Sequence, residues 1–164
     1  MTITDEPHEA AWQACALAAH HYRNALGWTI VLSDERPTIA LSVPHEHAGI
    51  DIAAKFTESV NQRLVEAGLA GPMIGCPDGR QVHLVVCDHP AGEPTEPQFD
   101  SGVAHLGVGS LVYLPPTRDP DYADTPLVWI CGPVADCDLP DCRGLFALVR
   151  EVIDTERDTR RTTE

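Results

Sequence analysis

The sequence predicts an α+β fold, with a mainly antiparallel sheet built from hairpins and flanked by three helices. Apolar residues recur at helical spacing in three stretches, near residues 11–26, 56–67 and 145–153. Six or seven short apolar, mostly β-branched segments lie between them, and several follow one another across a single turn. Because these strands do not alternate strictly with helices, the order favours α+β over a parallel α/β sheet.

Length and charge limit the class of protein. The chain has 164 residues and a net charge of −14, and Lys55 is its only lysine. We expect one domain over residues 1–154, followed by a charged, frayed tail over 155–164. A nucleic-acid partner is doubtful, because such proteins normally display a basic face to phosphates. The sequence has no apolar run of membrane-spanning length and no signal-peptide pattern at its acidic start, which predicts a cytoplasmic protein without a membrane partner.

The first predicted elements are a helix and a hairpin. Pro7 suits the first turn of a helix, and Gly27 is typical of the residue that ends one. Segments 28–32 and 38–43 read as strands joined by the polar turn 33–37, so they predict a hairpin.

Residues 44–48 are predicted to form a loop. Its His45 and His47 could share a metal, but an isolated pair of this kind in a loop is more typical of a solvated loop. A very short strand at 49–52 and a helix over 56–67 follow.

The stretch 72–87 predicts a second hairpin. Pro77 to Arg80 has turn chemistry, since Pro presets φ and Gly accepts a positive φ. Gln81 to Cys87 then reads as an inner strand, apolar except for His83. We interpret His83 either as a core histidine or as a ligand or catalytic histidine on a sheet face.

The remaining chain predicts strands at 103–106, 110–114 and 127–131 and an amphipathic helix over 145–153. Residues 88–102 are rich in Pro, Gly and Glu and have no apolar period, so we expect the longest loop there.

Three of the six cysteines are close in sequence. Cys131, Cys137 and Cys142 are spaced more loosely than the knuckles of structural zinc sites, and their segment lacks a fourth ligand. They are therefore interpreted either as a zinc site completed by a distant residue or as ordinary thiols around a loop.

Asp51 stands between two isoleucines just before a helix. A carboxylate there is costly to bury unless it is paired or binds a cation. It reads either as a helix N-cap or turn acid, or as part of a polar site shared with His83 on one concave face of the sheet.

The order of several short motifs resembles a known family. The motifs are Gly27-Trp28, Gly49-Ile50-Asp51, a strand with Gly79, Arg80 and His83, and Gly107–Thr117 ending in Pro-Pro-Thr. Together they resemble the N-terminal domain of bifunctional DNA primase/polymerases of the archaeo-eukaryotic primase superfamily, especially the short stand-alone type of actinobacteria.

This resemblance implies a set of site residues. Active members hold two divalent metals with two acids in a D-x-D arrangement and a third acid later in the chain. Asp51 matches the first acid, as a catalytic and metal-binding residue. His83 matches a histidine that contacts the nucleotide phosphates, with Arg80 beside it as a nucleotide-binding residue. The second acid is Ala53 here, and Asp100 is the nearest acid upstream of the place of the third.

The resemblance therefore implies a catalytically degenerate member. We expect a non-catalytic binding or interaction module whose partner is a nucleotide or a protein. One alternative is a nucleotidyltransferase that keeps weak activity with Mg²⁺ or Mn²⁺ at Asp51 and a substitute acid such as Asp100. Another is a small zinc-binding protein organised by Cys131, Cys137 and Cys142.

Overall fold

A computed structural model describes residues 6–43, 47–87, 102–119, 125–136 and 138–162. Within these ranges the chain forms three helices and ten strands, and the strands make three sheets in which all neighbours pair antiparallel. The predicted α+β class is confirmed. The strands are divided between a five-stranded sheet, a three-stranded sheet and a two-stranded ribbon.

The elements follow in chain order, and the labels below are kept throughout. They are α1 (Glu6–Leu26), β1 (Ile30–Leu32), β2 (Ile39–Ser42), β3 (His47–Ile52), α2 (Ala54–Ala67), β4 (Met73–Gly75), β5 (Gln81–Val86), β6 (Val103–Leu106), β7 (Leu111–Tyr113), β8 (Arg118–Asp119), β9 (Thr125–Pro126), β10 (Val128–Cys131) and α3 (Cys142–Thr162).

The five-stranded sheet has the strand order β10-β4-β5-β3-β6. Its β4–β5 pair confirms the predicted second hairpin, with Gly75 opposite Gln81. The turn closes through the amide of Cys76, which donates to the carbonyl of Arg80, while Gly79 adopts a φ of 84° that favours glycine. This hairpin brings the turn beside the end of β3, where Asp51 lies.

Helices α2 and α3 cover one face of the five-stranded sheet. Ile50 and Ile52 of β3 are fully buried there against Val60 of α2 and Val149 of α3. An ion pair between Arg63 and Glu151 links the two helices at their exposed side. We call this side of the sheet the helix face.

Helix α1 and the three-stranded sheet β1-β2-β7 cover the opposite face, which we call the inter-sheet face. The predicted first hairpin is confirmed as β1–β2. The two sheets approach closely at Gly49, where a Cβ would lie 2.9 Å from Cγ2 of Val112. Glycine is favoured there because a methyl group would force the Val112 side chain on the facing sheet to shift.

Three local predictions differ from the structure. His47 is the first residue of β3 and does not lie in a loop, because it pairs with Val86 of β5. Helix α3 continues through Thr162, so residues 155–162 do not form the frayed tail we expected. The predicted loop 88–102 lies outside the described residues, except for Gly102 at its end. No helix in the described ranges is long and apolar enough to cross a membrane.

Candidate functional site

Asp51, Arg80 and Asp78 form one charged cluster beside the hairpin turn. Arg80 Nη1 donates to Asp51 Oδ2 over 2.7 Å, and Arg80 Nε donates to Asp78 Oδ2 over 2.5 Å. The backbone amide of Arg80 also donates to Asp78 Oδ1 over 3.0 Å. One guanidinium therefore connects the strand β3 to the β4–β5 turn.

The three side chains of this cluster are partly buried. The exposed fractions are 18% for Asp51, 19% for Asp78 and 39% for Arg80. Burial raises the pKa of the Asp51 carboxyl, and the charge and hydrogen bond of Arg80 offset only part of that effect. The hydrogen bond to Asp78 and both carboxylates raise the pKa of Arg80, so its charge is permanent.

His83 lies on the other face of the same sheet. It stands directly opposite Ile50, whereas Asp51 stands directly opposite Val82. Directly opposite residues share a face and successive residues alternate, so His83 points to the helix face and Asp51 to the inter-sheet face. The predicted polar site shared by Asp51 and His83 is therefore wrong.

The surroundings of His83 are those of a core residue. Its side chain is 4% exposed, and Nε2 is buried with no hydrogen-bond partner among the described residues. Burial lowers the pKa of His83 to about 4, so the imidazole is neutral at physiological pH. The interpretation as a core histidine is the one its burial favours.

Asp51 is not the cap of helix α2, and the residue two positions after it is not an acid. The N-cap of α2 is Ala53, which makes no side-chain cap, and it also occupies the place of the second acid. Asp100 lies outside the described residues. No group of three His, Cys, Asp or Glu side chains that could hold a metal ion occurs in the part of the chain that is described.

The predicted zinc cysteines have different surroundings. Cys142 is buried at the start of α3, and its thiol is hydrogen-bonded to that of Cys87. Burial raises the pKa of both thiols, which makes them poor nucleophiles at neutral pH. Cys131 is exposed at the end of β10, and Cys137 lies outside the described residues.

An open cavity of about 430 Å³ lies where several segments meet on the inter-sheet side. Its floor contains the half-buried side chains of Leu26, Trp28, His47, Val86 and Leu139. Its rim is exposed and includes Cys131, Val134, Asp136 and Asp138. The volume is in the range of small-molecule sites, which is roughly 300–1,000 Å³.

Sequence reasoning missed both Asp78 and the cavity. Asp78 had a local signal, because Asp before Gly in a turn often accepts from the backbone two residues on, as it does here with Arg80. The cavity had no local signal, since its lining comes from five distant segments of the chain.

Comparison with family models, curated proteins and solved structures gives no match to the chain.

Proposed function

We propose that this chain is a non-catalytic binding module on a primase/polymerase-like α+β domain. The observation that carries the proposal is the 2.7 Å ion pair between Arg80 and Asp51. In the family it resembles, the acid at this place is a metal ligand. Here a guanidinium holds one of its two oxygens.

The residues at Asp51 do not fit a pair of divalent metals. Two-metal catalysis needs several carboxylate oxygens that bridge cations about 3.5–4 Å apart. The positive charge of Arg80 in contact with Asp51 disfavours a cation at the same carboxylate. Ala53 has no side-chain oxygen, and His83 is on the far side of the sheet.

One observation favours the alternative of a nucleotidyltransferase. Asp51 Oδ1 is buried and has no hydrogen-bond partner among the described residues. That oxygen is the one acceptor that Asp51 could offer to a cation while Arg80 holds Oδ2. A single oxygen beside a guanidinium is a weak donor set for Mg²⁺ or Mn²⁺, which prefers six ligands.

Primer synthesis and primer extension assays test this proposal. The protein is incubated with nucleoside triphosphates, a single-stranded or primed template, and Mg²⁺ or Mn²⁺. We expect no product from the wild type. Product from the wild type that disappears in Asp51→Asn, but persists in the surface control Asp154→Asn, would refute a non-catalytic role. The control tests whether loss of one surface charge is enough to change the result.

A further inference from the structure

We propose that the cavity between α1, β3 and β10 binds a cationic guanidinium or ammonium group carried on an apolar stem. This inference rests on the proposed function, because it names the ligand class of a binding module. The cavity is separate from the charged cluster, since His47 and Asp51 are four residues apart on β3, about 13 Å along the strand.

The electrostatics of the rim select the charge of the ligand. Asp136 and Asp138 both line the cavity, and none of its described lining residues is Lys or Arg. The last two residues of α1, Ala25 and Leu26, also line it. A helix C-terminus carries partial negative charge, so the dipole adds to the two carboxylates. A phosphate or carboxylate ligand would be repelled here.

The hydrogen-bonding groups of the cavity favour a ligand that donates hydrogen bonds. His47 Nδ1 is buried and has no hydrogen-bond partner among the described residues. In the tautomer protonated at Nε2, this nitrogen is an acceptor, as are both carboxylates. Ammonium and guanidinium groups offer three and five donors respectively and no acceptor. They therefore complement the acceptor atoms that His47, Asp136 and Asp138 offer to the cavity.

The apolar residues of the cavity floor favour a ligand whose charged group is carried on an apolar stem. Leu26, Trp28, Val86 and Leu139 are half-buried, and Val134 on the rim is 63% exposed. Methylene groups packed there would remove apolar surface from water. The indole of Trp28 can also attract a cation placed over its face. A guanidinium or ammonium on a short aliphatic chain combines these properties, whether it is a free amine or the Arg or Lys side chain of a partner.

The test uses the full chain and three probes. Butylguanidinium supplies a free guanidinium, with a single positive charge, on a four-carbon stem. The blocked tripeptide Gly-Arg-Gly supplies the same group in a peptide, and the tripeptide with citrulline in place of Arg is its uncharged control. Calorimetry measures affinity. Protection of Cys131 from iodoacetamide, followed by peptide mass spectrometry, reports on the cavity itself, because Cys131 is exposed on its rim.

The decisive variant is Asp136→Asn combined with Asp138→Asn. Asp136 has a φ of 64°, and Asn tolerates this conformation as well as Asp, so the loop keeps its backbone. The matched control is Asp34→Asn combined with Glu35→Gln, which removes the same charge from an exposed loop outside the cavity. Thermal melting confirms that both variants fold.

The expected result is binding of butylguanidinium or the Arg tripeptide with protection of Cys131. Affinity should be about tenfold lower or more in the cavity variant and nearly unchanged in the control. Equal affinity for the two probes would indicate a small amine, and a clear preference for the tripeptide a protein partner. No binding of either charged probe, or equal binding of the citrulline tripeptide, would overturn the inference. Nucleotidyl transfer is assayed separately, so failure of the proposed function is distinguishable from failure at this cavity.

Discussion

The guanidinium of Arg80 bridges two carboxylates, one from the end of β3 and one from the adjacent turn. It donates to Asp51 over 2.7 Å and to Asp78 over 2.5 Å. Arg80 and Asp78 are only two residues apart in the sequence, whereas Arg80 and Asp51 are separated by 29 residues. It therefore ties β3 to the β4–β5 hairpin by charge as well as by strand pairing.

Replacement of Arg80 by Met should destabilise the protein by about 1–2 kcal/mol at pH 7, because it leaves a partly buried carboxylate without its cation. The loss should decrease in acid, where Asp51 becomes protonated. Urea unfolding at several pH values measures both effects. Arg36→Met, in an exposed loop, is the control and should change stability by less than about 0.5 kcal/mol. Equal losses in the two variants would mean that the ion pair contributes nothing specific.

Protonation of His83 should destabilise the folded state. Its pKa is about 4 in the folded chain and ordinarily about 6.5, so the unfolded chain binds the proton more readily between these values. Stability should fall as pH decreases through this window, with a full effect of about 3 kcal/mol.

His83→Leu isolates this contribution. Burial raises the pKa of Asp51, so protonation of Asp51 acts in the opposite direction, but both proteins retain that residue. The difference between the two stability curves between pH 4 and 7 therefore reports His83. Parallel curves would show that the imidazole is not buried as a neutral group.

Tyr22 joins three parts of the fold through its hydroxyl. The hydroxyl donates to the carbonyl of Pro115 over 2.8 Å and accepts from Trp129 Nε1 over 2.7 Å. Tyr22→Phe should cost about 1–3 kcal/mol in chemical denaturation, because Pro115 loses a buried hydrogen bond and Trp129 loses a partly buried one. Tyr113→Phe on the exposed face of β7 provides the comparison, and its effect should be close to zero. A small effect at Tyr22 would show that water replaces the lost bonds.

Gly49→Ala should destabilise the packing between the two sheets. The new methyl group would lie 2.9 Å from Val112 Cγ2 and 3.3 Å from side-chain atoms of Leu106 and Val82. We expect a loss of about 1–3 kcal/mol in thermal or urea unfolding. Gly132→Ala, where a Cβ has nothing within 4 Å, should be nearly neutral. A neutral Gly49→Ala would mean that the sheets separate easily at this point.

Local patterns were enough to predict the three helices and the hairpins β1–β2 and β4–β5, but not the short ribbon β8–β9. The turn at Pro77–Arg80 and the β-branched strand after it carry their own chemistry, and the structure has β4 and β5 there. The apolar spacing near 145–153 likewise predicts α3, but the charged continuation to Thr162 has no apolar period, so the sequence predicts a tail there instead of a helix.

The candidate site depended on register, which local patterns do not encode. Asp51 and His83 both lie in apolar strands, and a shift of one residue between the strands would put them on the same face. The pairing of β3 with β5 is fixed by what each face packs against. Burial of Ile50 and Ile52 under α2 and α3 turns Asp51 towards the other face. The cavity could not be predicted from local patterns either, because its lining residues come together only when the chain has folded.

Binding of Mn²⁺ in the presence of a nucleoside triphosphate distinguishes an Asp51 that is the partner of Arg80 from an Asp51 that is a metal ligand. Electron paramagnetic resonance counts bound Mn²⁺ in the wild type, in Asp51→Asn and in the surface control Asp154→Asn. We predict that the three proteins bind the same amount, all of it weakly. A tight Mn²⁺ site that is present in the wild type and Asp154→Asn but lost in Asp51→Asn would contradict this account.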